Sequence, residues 1–142
     1  MANIISMGYE GLIYYGVKGS TAATQILNSR DVKISTDPQM GDTTVRGTAA
    51  APPIETEGVS SLKWSMTMNM VNATTDAVVL AIKTAANGGN AVAIRMKDST
   101  AGKGFDGDCN VKCEQGVPLK GEQTVDLTFT PNRDSRTPQI YV

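Results

Sequence analysis

Histidine is absent from this 142-residue chain, and cysteine occurs only twice. Without imidazole, neither a Ser-His-Asp nor a Cys-His relay can be assembled, and the commonest metal ligand is missing. Two cysteines make no disulfide framework and imply no oxidising compartment. Long apolar runs are also lacking: none approaches the ~18–20 residues that cross a bilayer. The start, MANIISMGYEGL, has no basic stretch followed by an apolar one, so no export and no membrane anchoring are expected. Neither sign of charge dominates, with 13 Lys and Arg against 14 Asp and Glu and a net charge of −1. A broad basic surface that attracts phosphates is therefore excluded, and weak self-repulsion tolerates close assembly. Aromatic residues are scarce at 5%, so a core must rest on Val, Ile, Leu, Met and Ala. No GxxxxGK[ST] occurs, and the GxG stretches in MGYEG and GKGFDG lack the strand and helix that would make them phosphate loops.

What is present is alternation. The length suits one domain with one core. LIYYGV, residues 12–17, reads as a short strand in a Gly-rich N-terminal arm spanning residues 1–20. In DVKIST, Val32 and Ile34 oppose Lys33 and Ser35. In SLKWSMTMNMV, Leu62, Trp64, Met66, Met68 and Met70 take one face, and Lys63, Ser65, Thr67 and Asn69 the other. Helical periodicity would scatter those methionines, so period two wins. The row reads as core, with a promiscuous Met-rich binding face as the alternative.

Residues 72–89 change period. Thr74 or Thr75 can cap, Asp76 suits the first turn, and Val78, Val79, Ile82 and Ala85 form an apolar stripe closed by Asn87, Gly88 and Gly89. Alternation resumes with Val92, Ile94 and Met96. Residues 99–107 read as a turn. Cys109, Val111 and Cys113 then share one face, and Val125, Leu127 and Phe129 another. The count is five or six strands and one helix, a mainly β antiparallel barrel or sandwich with one flanking helix. Between the early strands, residues 37–58 join Pro38, Gly41, Gly47, Pro52, Pro53 and Gly58 with small polar residues. Structureless stretches that long usually serve a function or are ordered by a partner. Residues 131–142 read as a docked terminal arm.

Two clusters invite chemistry. Residues four apart on a strand lie about 13 Å from one another, too far for Cys109 and Cys113 to bridge. Zinc needs four ligands that the chain does not offer. Two apolar core thiols are expected, with an intermolecular disulfide or a reactive thiol as alternatives. Asp106 and Asp108 stand in a Gly-rich stretch with a hint of calcium spacing but no acidic last ligand. A solvated turn is expected, against a weak divalent site. No catalytic, cofactor or metal residue is assigned. Strands with one apolar and one polar face leave open sheet edges that must be covered, twisted or paired with another chain.

The ordered combination of ATQILNSRDVKIST, GDTTVRGTAA, SSLKWSMTMNMV, TDAVVLAIKTA, NAVAIRMKD and GFDGDCNVKCEQGVPLKGEQTVDLTFTPN resembles the tail tube, or major tail, proteins of long-tailed bacteriophages over residues 20–132. Related proteins form the tubes of contractile tails and type VI secretion machines. The resemblance implies a single non-enzymatic domain, made in the host cytoplasm, that assembles as stacked hexameric rings into the virion's hollow tail. It implies partners at the tape-measure, tip and terminator proteins, and DNA passing through the lumen without sequence-specific binding. Lumen-facing candidates are Lys33, Ser35, Lys63, Ser65, Thr67 and Asn69, although the two lysines depart from the acidic lumens common in this family. Ring-stacking candidates lie in the 37–58 segment, at Met40, Asp42, Thr43, Thr44, Arg46, Pro52, Pro53, Glu55 and Glu57. Two other classes compete. One is a β-sandwich binding or decoration module stacking ligands on Tyr9, Tyr14, Tyr15 or Trp64; the other is an enzyme using Asp106 and Asp108.

Overall fold

The computed structural model describes residues 8, 11–45, 52–133 and 135–139. Seven strands and one helix follow in the order β1 (Leu12–Val17), β2 (Thr24–Gln25), β3 (Ser29–Asp42), β4 (Glu57–Val71), α1 (Ala77–Gly88), β5 (Val92–Lys97), β6 (Asp106–Gly116) and β7 (Thr124–Asn132). The two-residue β2 is the strand that alternation does not reveal. All pairings are antiparallel, in the spatial order β2-β1-β5-β6-β7-β4-β3, and the sheet curls into a half-barrel.

Register aligns the apolar sets into continuous rows. Ile34 faces Met66, Met66 faces Phe129 and Phe129 faces Val111; one step along, Val32, Met68, Leu127 and Cys113 repeat the arrangement. A one-residue slip in any ladder would turn these side chains to the opposite face, so burial itself fixes the register. Met66, Met68, Val79, Ile82, Val92, Ile94, Cys109, Val125, Leu127 and Phe129 are buried, and Val32, Ile34, Val78, Val111 and Cys113 pack partly buried against them. At one end of the core Trp64 stacks on Phe105, ring centroids 4.4 Å apart.

The chain leaves β4 and must pass β7 and β6 to reach β5. The helix α1 makes this crossing over the apolar face, packing on β6 and burying Val79, Ile82 and Ala85. Its cap is Asp76, not Thr74 or Thr75: the Asp76 carboxylate accepts the Val78 amide at 2.8 Å and the Val79 amide at 3.4 Å. Gly89 ends the helix at φ 69°, a left-handed conformation that a side chain would penalise.

Three expectations are corrected. The segment 37–58 is not all loop, because β3 runs to Asp42 and β4 starts at Glu57. Pro38 is tolerated because β3 pairs on one side only, which leaves the other side of its backbone free of ladder bonds. Second, Leu62 is no core residue. It shares the face of Trp64, but the strands and helix that bury that face end before it, and it is 56% exposed. Third, the turn expected at 99–107 ends early, with Phe105 buried and β6 starting at Asp106.

Candidate assembly surface

The face opposite the core is polar across four adjacent strands. Lys33 on β3 stands opposite Thr67 on β4, Thr67 opposite Thr128 on β7, and Thr128 opposite Lys112 on β6. The neighbouring row runs from Asn69 through Asp126 to Glu114. The Asn69 amide donates to Asp126, and Lys112 pairs with Glu114 at 3.2 Å. Ser35 faces Ser65, and Lys63 faces Asp37. All six residues singled out on β3 and β4 therefore lie on one surface, where lysines and carboxylates of the same chain interleave. Hydroxyls and amides dominate between them, so the surface is hydrophilic without a strong field of either sign.

The second feature is the β3–β4 hairpin, whose distal half projects beyond the core. Ordinary alternation would put Leu62 and Ser60 on the apolar face and Val59 on the polar one. The register shifts instead: Gln39 opposes Ser61, yet Met40 opposes Val59, leaving Ser60 as the extra residue of a β-bulge. The Ser60 hydroxyl donates to the Gln39 carbonyl at 2.9 Å and satisfies the interrupted ladder. The bulge turns Val59 onto the face of Leu62 and Met40. The three are 59%, 56% and 53% exposed, a row of apolar side chains continuing the core face. Beyond them a threonine cluster closes the loop base: the Thr43 amide donates to the Thr56 carbonyl at 3.0 Å, and the Thr56 amide to the Thr44 hydroxyl at 3.0 Å. Asp42 accepts the Thr44 amide at 2.8 Å, which with the Thr44 hydroxyl holds its pKa below the ordinary value. Met40, Asp42 and Glu57 thus belong to strands, Thr43, Thr44, Pro52, Pro53 and Glu55 to the loop, and Arg46 lies outside the described residues.

The sheet's margins are open. Among the described residues the 14-residue β3 pairs only with β4. At the other margin the two-residue β2 covers only part of β1. Where β1 and β5 face β3, a groove of about 590 Å³ opens between Ile13, Ile26, Val32, Ile34 and Met96.

Asp106 and Asp108 are not in a solvated turn. Both side chains are buried on β6, because two chain segments close over this end of the polar face. Arg136 of the C-terminal segment donates from Nη1 to Asp106 at 2.8 Å and from Nε to Asp108 at 3.0 Å, and the Gly19 amide donates to Asp108 at 3.1 Å. Burial opposes the Arg136 charge, but hydrogen bonds to Asp108 and Asp106 outweigh it and raise its pKa. The guanidinium sits where a cation would have to bind, and no group of three or more metal-ligating side chains occurs among the described residues. Arg136 and Gly19 escape a sequence reading because they lie 28 and 89 residues from Asp108. A signal exists in the i, i+2 spacing of the two carboxylates, which puts like charges on one strand face and calls for a cation between them.

Cys109 and Cys113 stand on β6 as free thiols, the first buried and the second half-buried. Of the aromatic set, Trp64 and Tyr15 pack in or against the core, Tyr14 is half-buried, and Tyr9 lies outside the described residues. No helix among the described residues is long and apolar enough to cross a membrane.

No protein-family model matches the chain, and no curated protein does. Solved structures do. The tail of an empty gene transfer agent particle, refined helically with C6 symmetry, superposes with a TM-score of 0.76 at 14% identity, covering 97% of this chain and 100% of that one. The virion of a native gene transfer agent gives 0.72 at 13% identity, with coverage of 97% and 100%. The SPP1 tail tube, from solid-state NMR and cryo-electron microscopy, gives 0.61 at 12%, covering 91% of this chain and 81% of that one. An open seven-stranded half-barrel with one crossing helix and a projecting hairpin is thus shared nearly end to end, and the chain has the tail tube protein fold.

Proposed function

We propose that this chain is a structural subunit that closes into hexameric rings, which stack into the hollow tube of a phage-type tail and conduct DNA from capsid to host. The observation that carries the reading is the unfinished sheet: a 14-residue edge strand whose outer side no described strand pairs, in a fold shared with a tail refined under C6 symmetry. An edge of that length invites pairing by another strand unless something covers it, and a closed ring of copies removes every such edge.

On this reading the polar face of β3, β4, β7 and β6 lines the channel, with Lys33, Ser35, Lys63, Ser65, Thr67 and Asn69 as its contributors on β3 and β4. Its interleaved charges suit passage. A lining that neutralised several phosphates in each of many rings would hold DNA by accumulated attraction. Lys63 is offset by Asp37 and Lys112 by Glu114 within one chain, so no neighbour is needed to temper these two lysines. The β3–β4 hairpin serves ring-to-ring contact, through the segment 37–58. Residues 1–20 outside β1 (Leu12–Val17) and the residues from 133 to 142 are terminal arms of a single domain. The tape-measure protein and the tip and terminator proteins are the partners, the virion tail is the location, and the role is structural, not enzymatic.

Negative-stain microscopy of the purified protein tests the proposal. Hollow filaments of varied length or six-fold rings are expected. Strictly monomeric protein at high concentration, with no tubes in the parent particle, would overturn it.

A further inference from the structure

We infer that Arg136 is a releasable latch that ties the two ends of the chain together through Asp108, with Arg95 the stand-in cation for Asp106 when the latch opens. The inference concerns the single subunit and stands whether or not the chain builds tubes.

The C-terminal segment is lightly held. Arg133, Ser135, Thr137 and Gln139 are exposed. Among the described residues its only strand-like contact is one bridge, in which Asp106 and Gln139 exchange backbone hydrogen bonds of 3.0 and 2.7 Å. Segments with so few buried contacts open well below the free energy of global unfolding. Beyond that bridge, Pro138 packs over Gly107 and Ser135 lies beside Gly19, and the polar attachment is the guanidinium fork on two buried carboxylates. Asp108 is fully buried, and among the described residues it also accepts from the Gly19 amide, which reaches both carboxylate oxygens at 3.2 and 3.1 Å. Gly19 holds the turn after β1 at φ 87°.

Opening the latch therefore cannot be local. Withdrawing Arg136 leaves a buried carboxylate with one neutral donor, a state that costs far more than an exposed charge. Water must reach Asp108, and the route passes beneath the turn that Gly19 anchors. Docking of the C-terminal segment and ordering of the N-terminal turn thus become one event. The two carboxylates differ in what else is close. Across the β5–β6 ladder Asp108 faces Ala93, which offers nothing, whereas Asp106 faces Arg95. Arg95 Nε is buried without a hydrogen-bond partner, an unspent donor on the side chain directly opposite the carboxylate that loses its cation. Directly opposed Cβ atoms lie about 4.5–5.5 Å apart, within reach of an arginine. Asp106 can then be re-paired with the sheet intact, which makes the opening reversible and leaves Asp108 as the coupling element.

Amide hydrogen exchange on the full-length protein tests this. In R136M the Gly19 and Gln139 amides are both expected to lose about tenfold or more of their protection, while Leu127 and Phe129 on β7 keep theirs. Should R136M fail to fold, R136K, which keeps the charge but not the planar fork, is expected to show the same paired loss at smaller size. Loss at Gln139 with Gly19 unchanged would overturn the coupling. For the stand-in, R95M alone is expected to leave Gly19 protection within about twofold of the parent. R95M and R136M together are expected to lower the melting temperature by more than the two single shifts added. Additive shifts would overturn the role of Arg95.

Discussion

At the inner face of β6 the Cys109 thiol is sealed between strands, with only a long contact of 3.8 Å to the Gly107 carbonyl. Burial, and then the nearby Asp108 charge, pushes its pKa from the ordinary 9.0 up to about 12. A group whose folded value lies above its unfolded value stabilises the fold fully below the unfolded value and loses that contribution as pH rises toward the folded one. Stability is therefore expected to fall between pH 9 and about 12, and Cys109→Val, which nearly keeps the volume, is expected to flatten that decline in urea titrations at about pH 8 and 10.5. A slope unchanged by the substitution would assign the alkaline loss elsewhere. Cys113, half-buried, is also raised, chiefly by burial and against the pull of Lys83. Iodoacetamide is accordingly expected to label Cys113 slowly in the folded protein and Cys109 only after unfolding, as intact mass would report. Period two already put both thiols on one strand face, out of bridging distance. It could not show that Asp106 and Asp108 lean on Arg136, since a pairing across 28 or more residues leaves no local pattern.

Among the elements, α1 shows how local signals compete. Its apolar stripe, Val79, Ile82 and Ala85, and its Gly89 stop follow from a change of period that any amphipathic helix must show. The start did not follow, because Thr74, Thr75 and Asp76 are all capping residues in succession. A contact from elsewhere favours Asp76: Asn28, in the stretch between β2 and β3, donates its side-chain amide to the second carboxylate oxygen. Asp76→Ala is expected to cost about 1–2 kcal/mol by urea denaturation, with Thr75→Ala within about 0.5 kcal/mol of the parent. Comparable losses in both would mean that the cap is shared. The hairpin was hidden differently. Residues 37–42 and 57–61 lose their alternation because Pro38 interrupts it on an edge and the extra residue Ser60 shifts it by one. A bulge is invisible to a period-two reading unless the partner strand is known, so the same residues read as a loop.

For the molecule as a whole, the proposed assembly raises the question of which part of the projecting hairpin would meet a neighbour. The base of the loop is tied by hydrogen bonds among Thr43, Thr44 and Thr56, and Val45 and Ile54 beside it are single exposed apolar residues. The stem carries Met40, Val59 and Leu62 together in a row that the subunit's own core does not cover. Covering the exposed half of each such side chain yields about 1 kcal/mol, small for one subunit but repeated at every contact of the proposed ring. The bulge at Ser60 matters here, because without it Val59 would face the polar side. If the stem is the adhesive part, Val59→Thr with Leu62→Thr keeps strand-compatible residues and is expected to leave the isolated subunit within about 1 kcal/mol of the parent in urea. Filament counts by microscopy are expected to drop at least about tenfold. Met66→Ala, at a position with no exposure, is the contrasting case and is expected to cost about 2–5 kcal/mol of subunit stability. Filaments of normal number and length from the double threonine variant would move the contact from the stem to the loop tip.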